Sequence, residues 1–246
     1  MECRLKISKR DGSEAVDATH YRSVIGSLRY LVNTRPDIAY AVGIASRYME
    51  APSKQHWAIT KQILRYVQGI IGYGCYYKAD SKGPVLTGYS DSDLTGDIDD
   101  RKSTSGVAFL LGSSIVTWSS KKQKVVAISS CEAEYVAAAS AACQGVWLSC
   151  LLGEMVGRAP AKFNLKVDNK STIALSKNPV HHEWTKHIDT KYHFIRSCIK
   201  EGKADIEHIG TNGQLADLLT KALGRVKFGE MRQMLGVVEV KAAQRA

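Results

Sequence analysis

The chain has 246 residues, with 34 lysine and arginine residues against 24 aspartates and glutamates, which gives a formal net charge of +10 at pH 7. Its 44% hydrophobic and 24% charged residues are ordinary for a globular protein, and no apolar run approaches the roughly 20 residues that cross a bilayer. A basic chain is typical of proteins that meet polyanions, although surplus charge also serves simply to keep a surface solvated.

The first residues, "MECRLKISKRDGSEA", are charged and lack the apolar core of a signal peptide. Six cysteines are scattered along the chain without a Cys-x-x-Cys pair, which disfavours a zinc knuckle or ribbon. Both observations fit a reducing, intracellular compartment, either cytoplasmic or nuclear, and neither indicates a membrane partner.

Residues 18–70 carry apolar residues at three- and four-residue spacing, which predicts helices. The segment 33–36 divides the first two helices, and Ser53 is a suitable N-cap for a third. We therefore predict a helical segment over residues 1–72, followed by a second domain over residues 73–240.

The second domain begins with short runs rich in β-branched and aromatic residues, separated by glycine, proline or aspartate. An alanine-rich helix is predicted over residues 129–156, and strands and helices alternate after it. Hairpin strands followed by α/β alternation predict an α/β fold, in which helices cover a mixed sheet.

Four acids stand out by their positions in these elements. Asp91 and Asp168 each end an apolar strand, Glu134 lies on the alanine-rich side of the long helix, and Asp217 begins a late helix. Sites in α/β sheets form at the carboxyl ends of strands, so these side chains are candidates for one cluster. Taken singly, Asp91 and Asp168 are better explained as turn or cap residues. Glu134 has the alternative of an exposed helix acid, and Asp217 is equally explained as an acid that stabilises a helix N-terminus.

Gathered carboxylates repel one another unless a cation lies between them. Hard oxygen ligands suit Mg²⁺ or Mn²⁺, and two such ions are able to activate water and stabilise the leaving oxygen in phosphodiester cleavage. A basic chain that meets nucleic acid fits that chemistry, and no small-molecule cofactor is indicated.

Six ordered blocks carry a family resemblance: "YRSVIGSLRYLVNTRPDIAYAVGIASRYM", "HWAITKQILRYVQG", "GYSDSDLTGDIDDRKSTSG", "SSKKQKVVAISSCEAEYVAAA", "TKHIDTKYHFIR" and "QLADLLTKAL". Together they resemble the end of a copia-type LTR retrotransposon polyprotein, where connection helices that follow reverse transcriptase lead into a ribonuclease H domain. The resemblance implies a ribonuclease H-like mixed five-stranded sheet flanked by helices, with an N-terminal helical extension.

The resemblance also implies hydrolysis of the RNA strand of RNA–DNA hybrids, by in-line attack of water with two Mg²⁺ or Mn²⁺ ions, leaving 5′-phosphate products. Matched to the family's motifs, Asp91, Glu134, Asp168 and Asp217 are the metal-binding and catalytic carboxylates. His208 falls where related nucleases often have a histidine that assists product release or proton transfer; the alternative is a strand-end histidine with no role. A reverse transcriptase polymerase domain is a further possible partner.

Basic and hydroxyl residues near the predicted site suit phosphate contacts, although solvated turns explain them equally well. The candidate contacts to nucleic acid are Arg101, Lys102, Ser103, Lys121, Lys122, Lys186, His187 and Lys191. The histidines of "HHEWTKHIDTKYH" raise the question of zinc, but their spacing fits no finger pattern.

Leu94, Cys131 and Trp184 depart from the usual residues of the family, and none of them is a predicted metal ligand. Two alternatives to the nuclease remain. One is a catalytically silent retrotransposon-derived fragment that binds nucleic acid or a host protein, and the other is an integrase-like core, which the "TKHID" and "LTK" blocks disfavour.

Overall fold

The computed structural model describes residues 7–79, 85–177 and 190–240, with Thr190 and Lys191 described by their backbone alone. Within these residues the α-helices are α1 (Ala18–Leu31), α2 (Ala39–Ala45), α3 (Lys54–Gly69), α4 (Ser130–Val156), α5 (Lys170–Lys177), α6 (Phe194–Lys200) and α7 (Arg225–Met234). Short 3₁₀ helices occupy Pro36–Ile38, Ser46–Tyr48, Thr190–His193 and Leu215–Leu219.

The central sheet has five strands and a mixed direction. The strands of the chain are β1 (Tyr73–Cys75), β2 (Leu86–Ser92), β3 (Thr104–Leu111), β4 (Ser114–Lys122), β5 (Phe163–Val167), β6 (Ala204–His208) and β7 (Val237–Glu239). The sheet order is β4-β3-β2-β5-β6, in which β2, β3 and β4 are antiparallel neighbours and β5 and β6 run parallel to β2. The predicted mixed five-stranded sheet is therefore confirmed.

Each face of the sheet has its own apolar core, because alternate residues of a strand point to opposite faces. Phe109 and Phe163 pack with the alanines of α4 and with α5 and α6 on one face. On the other face, Ala108 and Leu110 pack against Leu219 of the 3₁₀ helix, with α7 residues beside them.

The N-terminal helices have their own core and also contact the sheet. The side chain of Ser53 accepts the His56 N–H and the His56 ring accepts the Ser53 N–H, which completes a capping box and confirms the predicted N-cap of α3. Trp118 of β4 donates to the carbonyl oxygen of Val32 at 3.0 Å, and Ala39 joins the core below the sheet. The boundary at residue 72 stays a prediction.

Helix α4 is apolar and long enough to cross a bilayer by length and composition alone. Over half of the most apolar stretch of this helix is buried, and Ala138, Ala141 and Ala142 are fully buried against the sheet. The buried alanine side is the one that carries Glu134, as the sequence predicted. Core helices of globular domains share this composition, and the packing accounts for it here.

Two predicted elements differ in the structure. The segment around "QLADLLTKAL" forms a 3₁₀ helix rather than an α-helix, because Gln214 caps Ala216 and also donates to the carbonyl oxygen of Ser90, at 2.9 Å, which holds the segment over the sheet edge. Residues Val237–Glu239, for which no strand was predicted, pair with β1 in a separate two-stranded antiparallel sheet. Local sequence pattern does not contain this distant pairing.

Candidate metal centre at the carboxyl edge of the sheet

Two aspartates lie side by side because their strands are parallel neighbours. Ser90 of β2 pairs with Val167 of β5, and the next residues along the two strands are Asp91 and Asp168. Asp91 is fully buried, whereas Asp168 is half-buried at the end of its strand. This is the strand-end arrangement that the sequence predicted.

Glu134 reaches the same edge from the first turns of α4. The helix begins at the N-cap Ser129, whose side chain accepts the Glu132 N–H, and Glu132 in turn accepts the Ile128 N–H. This capping occupies Glu132 and leaves Glu134 to face the sheet. One carboxylate oxygen of Glu134 accepts the Ser92 N–H at 3.1 Å, while the buried Oε2 has no hydrogen-bond donor among the described residues.

Asp91, Glu134 and Asp168 each bring one carboxylate oxygen to within 4.8 Å of the others. Burial raises the pKa of Glu134 above its ordinary value, and the charges of Asp91 and Asp168 raise it further. Burial also raises the pKa of Asp168, again with the charge of Asp91 adding to it. Three acids of like charge thus lie close together, and each disfavours the ionised form of the others.

Asp217 approaches Asp91 from the other face of the sheet, where the 3₁₀ helix packs. It is 3% exposed, and burial and the Asp91 charge raise its pKa. Lys221 donates to Asp217 Oδ1 at 2.9 Å and lies 3.3 Å from Asp91 Oδ1, so its ammonium joins the two carboxylates. Thr220 also donates to Asp91. The four predicted acids are brought to one edge, with Asp217 joined to it by a lysine.

Sequence reasoning missed the residues that support this edge. Lys221 is four residues after Asp217, a spacing at which a lysine and an aspartate commonly pair on a helix, and this signal was available. Gln123 gives no comparable signal: its amide donates to Ser92, Ser105 and the carbonyl oxygen of Ala133, and so ties the end of β2 to α4. Such a contact arises only from the tertiary fold.

His208 is the last residue of β6 and pairs in register with Val167, the residue before Asp168. Its side chain is exposed at the edge of the sheet, and its charge acts to lower the pKa of the Asp168 carboxyl against the larger effect of burial. The histidine therefore stands beside the acidic cluster. Its part in proton transfer or product release stays a prediction.

The remaining aspartates of the 88–106 segment shape a loop rather than extend the cluster. Asp97 bonds to Arg47 at 3.0 Å and to Lys122 at 2.6 Å; burial raises its pKa, but these partners and backbone donors outweigh burial and lower it to about 2. Burial raises the pKa of Asp93 to about 6, although this carboxylate accepts the Thr104 N–H. The loop thereby bridges the N-terminal helices and the sheet.

The predicted nucleic-acid contacts fall into different settings. Arg101 and Lys121 are exposed, and Lys102 lies 3.7 Å from Asp100. Lys122 is engaged with Asp97 and with Asp100, which lies 2.8 Å away. Lys186 and His187 lie outside the described residues, as does the side chain of Lys191.

Ser103 differs from the expectation for a phosphate contact. It is fully buried, and its hydroxyl oxygen accepts the Thr95 N–H at 3.2 Å. Thr95 has a positive φ of 54°, a left-handed conformation that this hydrogen bond helps to hold. Ser103 therefore stabilises the loop, and its hydroxyl is not presented to a phosphate.

The residues of the cluster fit a divalent cation of the Mg²⁺ or Mn²⁺ type. Carboxylate oxygens from Asp91, Glu134 and Asp168 converge, and the Oε2 of Glu134 is an acceptor that lacks a donor among the described residues. Hard oxygen ligands of this kind are those that Mg²⁺ and Mn²⁺ prefer. A bound cation would satisfy that oxygen and offset the mutual repulsion.

The strand order, the parallel β5 and β6 and the acids at the carboxyl edge together define a ribonuclease H-like fold. A solved N-terminal RNase H domain from Mycobacterium tuberculosis, fused to maltose binding protein, is 13% identical to this chain. The match covers 61% of this chain and 97% of that one, with a TM-score of 0.40.

Two curated relatives match almost the whole chain. The retrovirus-related Pol polyprotein from transposon TNT 1-94 of Nicotiana tabacum is 43% identical over 219 residues, 88% of this chain. The retrovirus-related Pol polyprotein from transposon RE2 of Arabidopsis thaliana is 41% identical over 237 residues, 96% of this chain.

The chain is homologous to a segment of the retrovirus-related Pol polyproteins of these plant transposons, so the resemblance given by the six sequence blocks is confirmed. It spans 16% of the length of each of these two polyproteins. No protein-family model matches the chain.

Proposed function

We propose that the protein is a metal-dependent endonuclease of the ribonuclease H class, which hydrolyses the RNA strand of RNA–DNA hybrids. The observation that carries the proposal is the convergence of Asp91, Glu134 and Asp168 within 4.8 Å at the sheet edge. The relatives' description as Pol polyproteins supports it, because such a polyprotein is expected to process hybrids made during reverse transcription.

The carboxylates of Asp91, Glu134 and Asp168 would hold one divalent cation, and those of Asp91 and Asp217 a second. Such cations supply Lewis-acid activation of water and stabilisation of the departing oxygen in phosphodiester cleavage. Glu134 is fixed by the Ser92 N–H and Asp91 by Thr220, so both carboxylates are oriented before any ligand arrives. Preorganised charges of this kind need no rearrangement during the reaction.

His208 stands at the open side of the cluster, beside Asp168, where an exposed imidazole is able to exchange protons with solvent. Exposed Arg101 lies in the loop before β3 and exposed Lys121 lies in β4, and their charges favour a phosphate backbone without reading base sequence. Hydrolysis by attack of water would leave a 5′-phosphate and a 3′-hydroxyl.

The test compares four labelled substrates of one sequence. Three contain the same RNA strand, which is annealed to DNA, annealed to RNA or left single-stranded, and the fourth is a DNA duplex. We expect release of short RNA products from the hybrid alone, in Mg²⁺ or Mn²⁺ and not in EDTA. Equal cleavage of single-stranded RNA, or no cleavage of the hybrid in either cation, would refute the proposal. Tight hybrid binding without turnover would instead favour the catalytically silent form.

A further inference from the structure

Lys221 occupies the space between two of the four acids. Its Nζ lies 2.9 Å from Asp217 Oδ1 and 3.2 and 3.3 Å from the two oxygens of Asp91. The two carboxylates come from different elements, the end of β2 and the 3₁₀ helix, and Asp91 is fully buried. Among the described residues, the ammonium is thus the positive charge that touches both of them.

The acids at the edge are therefore divided into two unlike halves. Asp91, Glu134 and Asp168 face one another, and the Oε2 of Glu134 has no donor among the described residues. Asp217 instead faces Asp91 across the ammonium of Lys221. One half is open to a cation as it stands, whereas the other already contains a positive charge.

We propose that Lys221 is a positioning residue that competes with a divalent cation for the Asp91–Asp217 half of the site. The Asp91–Glu134–Asp168 half then takes a first cation without rearrangement, and a second cation binds beside Asp217 only when the ammonium moves away. This inference deepens the proposed function and rests on the same cluster. It makes the second cation the weaker one and assigns its weakness to a single residue.

The structure provides room for that movement. Lys221 also lines a cavity of about 630 Å³ between the N-terminal helices and α7, together with Tyr66 and Phe228. The side chain of Lys221 is 39% exposed, so it is not locked by packing around its whole length. The side chain therefore has solvent and this cavity beside it when its ammonium leaves the two carboxylates.

The test measures Mn²⁺ binding to the full chain by isothermal titration calorimetry, in the absence of nucleic acid. Wild type is expected to bind one Mn²⁺ tightly and a second more weakly. Lys221→Gln should lower the dissociation constant of the second Mn²⁺ by about tenfold, because the competing ammonium is gone. Lys221→Arg keeps the charge and should leave the second event weak. Lys227→Gln, which removes a lysine that donates to Asn212, is the control and should bind Mn²⁺ as wild type does.

A merely structural lysine would give a different result. If Lys221 only ties the 3₁₀ helix to the sheet, Lys221→Gln leaves the second affinity unchanged or weakens it, and either outcome overturns the proposal. Because titration needs no hybrid, failure to cleave hybrids does not affect it.

A second measurement uses wild type alone and so does not depend on the folding of a variant. The amine of Lys221 is acetylated with a small reagent, and the modified fraction is followed by peptide mass spectrometry as Mn²⁺ is added. We expect the Lys221 modification to rise several-fold as the second cation binds, because the amine is released from its two carboxylates. Equal modification of Lys221 without and with saturating Mn²⁺ would contradict the proposal, and Lys227 provides the internal reference.

Discussion

A Cβ atom placed on Gly106 would lie 2.7 Å from the carbonyl oxygen of Ala216. Gly106 pairs with Asp91 across β2 and β3, and Ala216 immediately precedes Asp217. The absence of a side chain at Gly106 therefore allows the 3₁₀ helix to approach the sheet closely enough to bring Asp217 beside Asp91. A single glycine on β3 governs the distance between two acids of the site.

Gly106→Ala should push the 3₁₀ helix away from the sheet. We expect a loss of about 1–3 kcal/mol in the free energy of unfolding, the usual cost of overpacking, measured by urea denaturation. Gly26→Ala is the matched control, because a Cβ there meets nothing within 4 Å, and in that exposed helix it should stabilise by about 0.5–1 kcal/mol. An unchanged stability of Gly106→Ala would show that the 3₁₀ helix adapts freely.

Glu134→Gln should stabilise the metal-free protein. Burial and neighbouring acids raise the Glu134 pKa, so the folded protein holds a proton there that the unfolded chain releases near pH 4.5. The stabilisation that comes from this bound proton is fully present below about pH 4.5 and is lost as pH rises through the raised pKa of Glu134.

The glutamine keeps the uncharged form at all pH values. We expect its thermal unfolding in EDTA to be less dependent on pH between 5 and 8, with a gain of about 1–3 kcal/mol at the upper end. Glu154→Gln, on the exposed part of the same helix, is the control and should follow wild type. A Glu134→Gln protein as sensitive to pH as wild type would place the titration elsewhere.

Asp97→Asn should loosen the N-terminal helices from the sheet. Asp97 is buried and bonded to Arg47 and Lys122, and its removal leaves both cations without that partner. We expect a loss of about 3 kcal/mol in the free energy of unfolding, as for other broken buried pairs. Asp205→Asn removes an exposed pair with Lys162 and should cost about 0–1 kcal/mol. Equal losses from the two variants would contradict a role for Asp97 in joining the helices to the sheet.

His208→Ala tests the one predicted catalytic residue that is not a carboxylate. Its removal should slow hybrid cleavage by about 10²-fold or more, the lower range for a group that transfers protons, while leaving Mn²⁺ binding within twofold of wild type. His20→Ala, on the first turn of α1, is the control. Unchanged cleavage by His208→Ala would leave the histidine as a strand-end residue without a role.

Most of the site was predictable because its acids occupy positions that sequence pattern identifies. Asp91 and Asp168 follow apolar strands, and the buried alanines of α4 mark the side that carries Glu134. Asp217 was identified correctly because the family motif includes this residue. The helix around it is 3₁₀ rather than α, because the Gln214 contacts hold the backbone there.

What escaped sequence reasoning depends on distant contacts. The pairing of β1 with β7 joins residues far apart in the chain. Lys122 was predicted to contact phosphate, but the fold places it between Asp97 and Asp100. Helix α3 buries Ile59 and Ile63 and leaves Leu64 40% exposed, a choice of face that depends on the helices packed against it.

The most direct test of the central claim compares wild type with Asp168→Asn in cleavage of a labelled RNA–DNA hybrid with Mg²⁺. Asp168 is the least buried of the four acids, so its replacement changes the cluster with the least disturbance of the core. Asp205→Asn, at a half-exposed position in β6, controls for the loss of a surface charge. We predict Mg²⁺-dependent release of RNA by wild type and Asp205→Asn and a loss of at least about 10²-fold in Asp168→Asn. Equal cleavage by wild type and Asp168→Asn would contradict the assignment of this cluster as the catalytic metal centre.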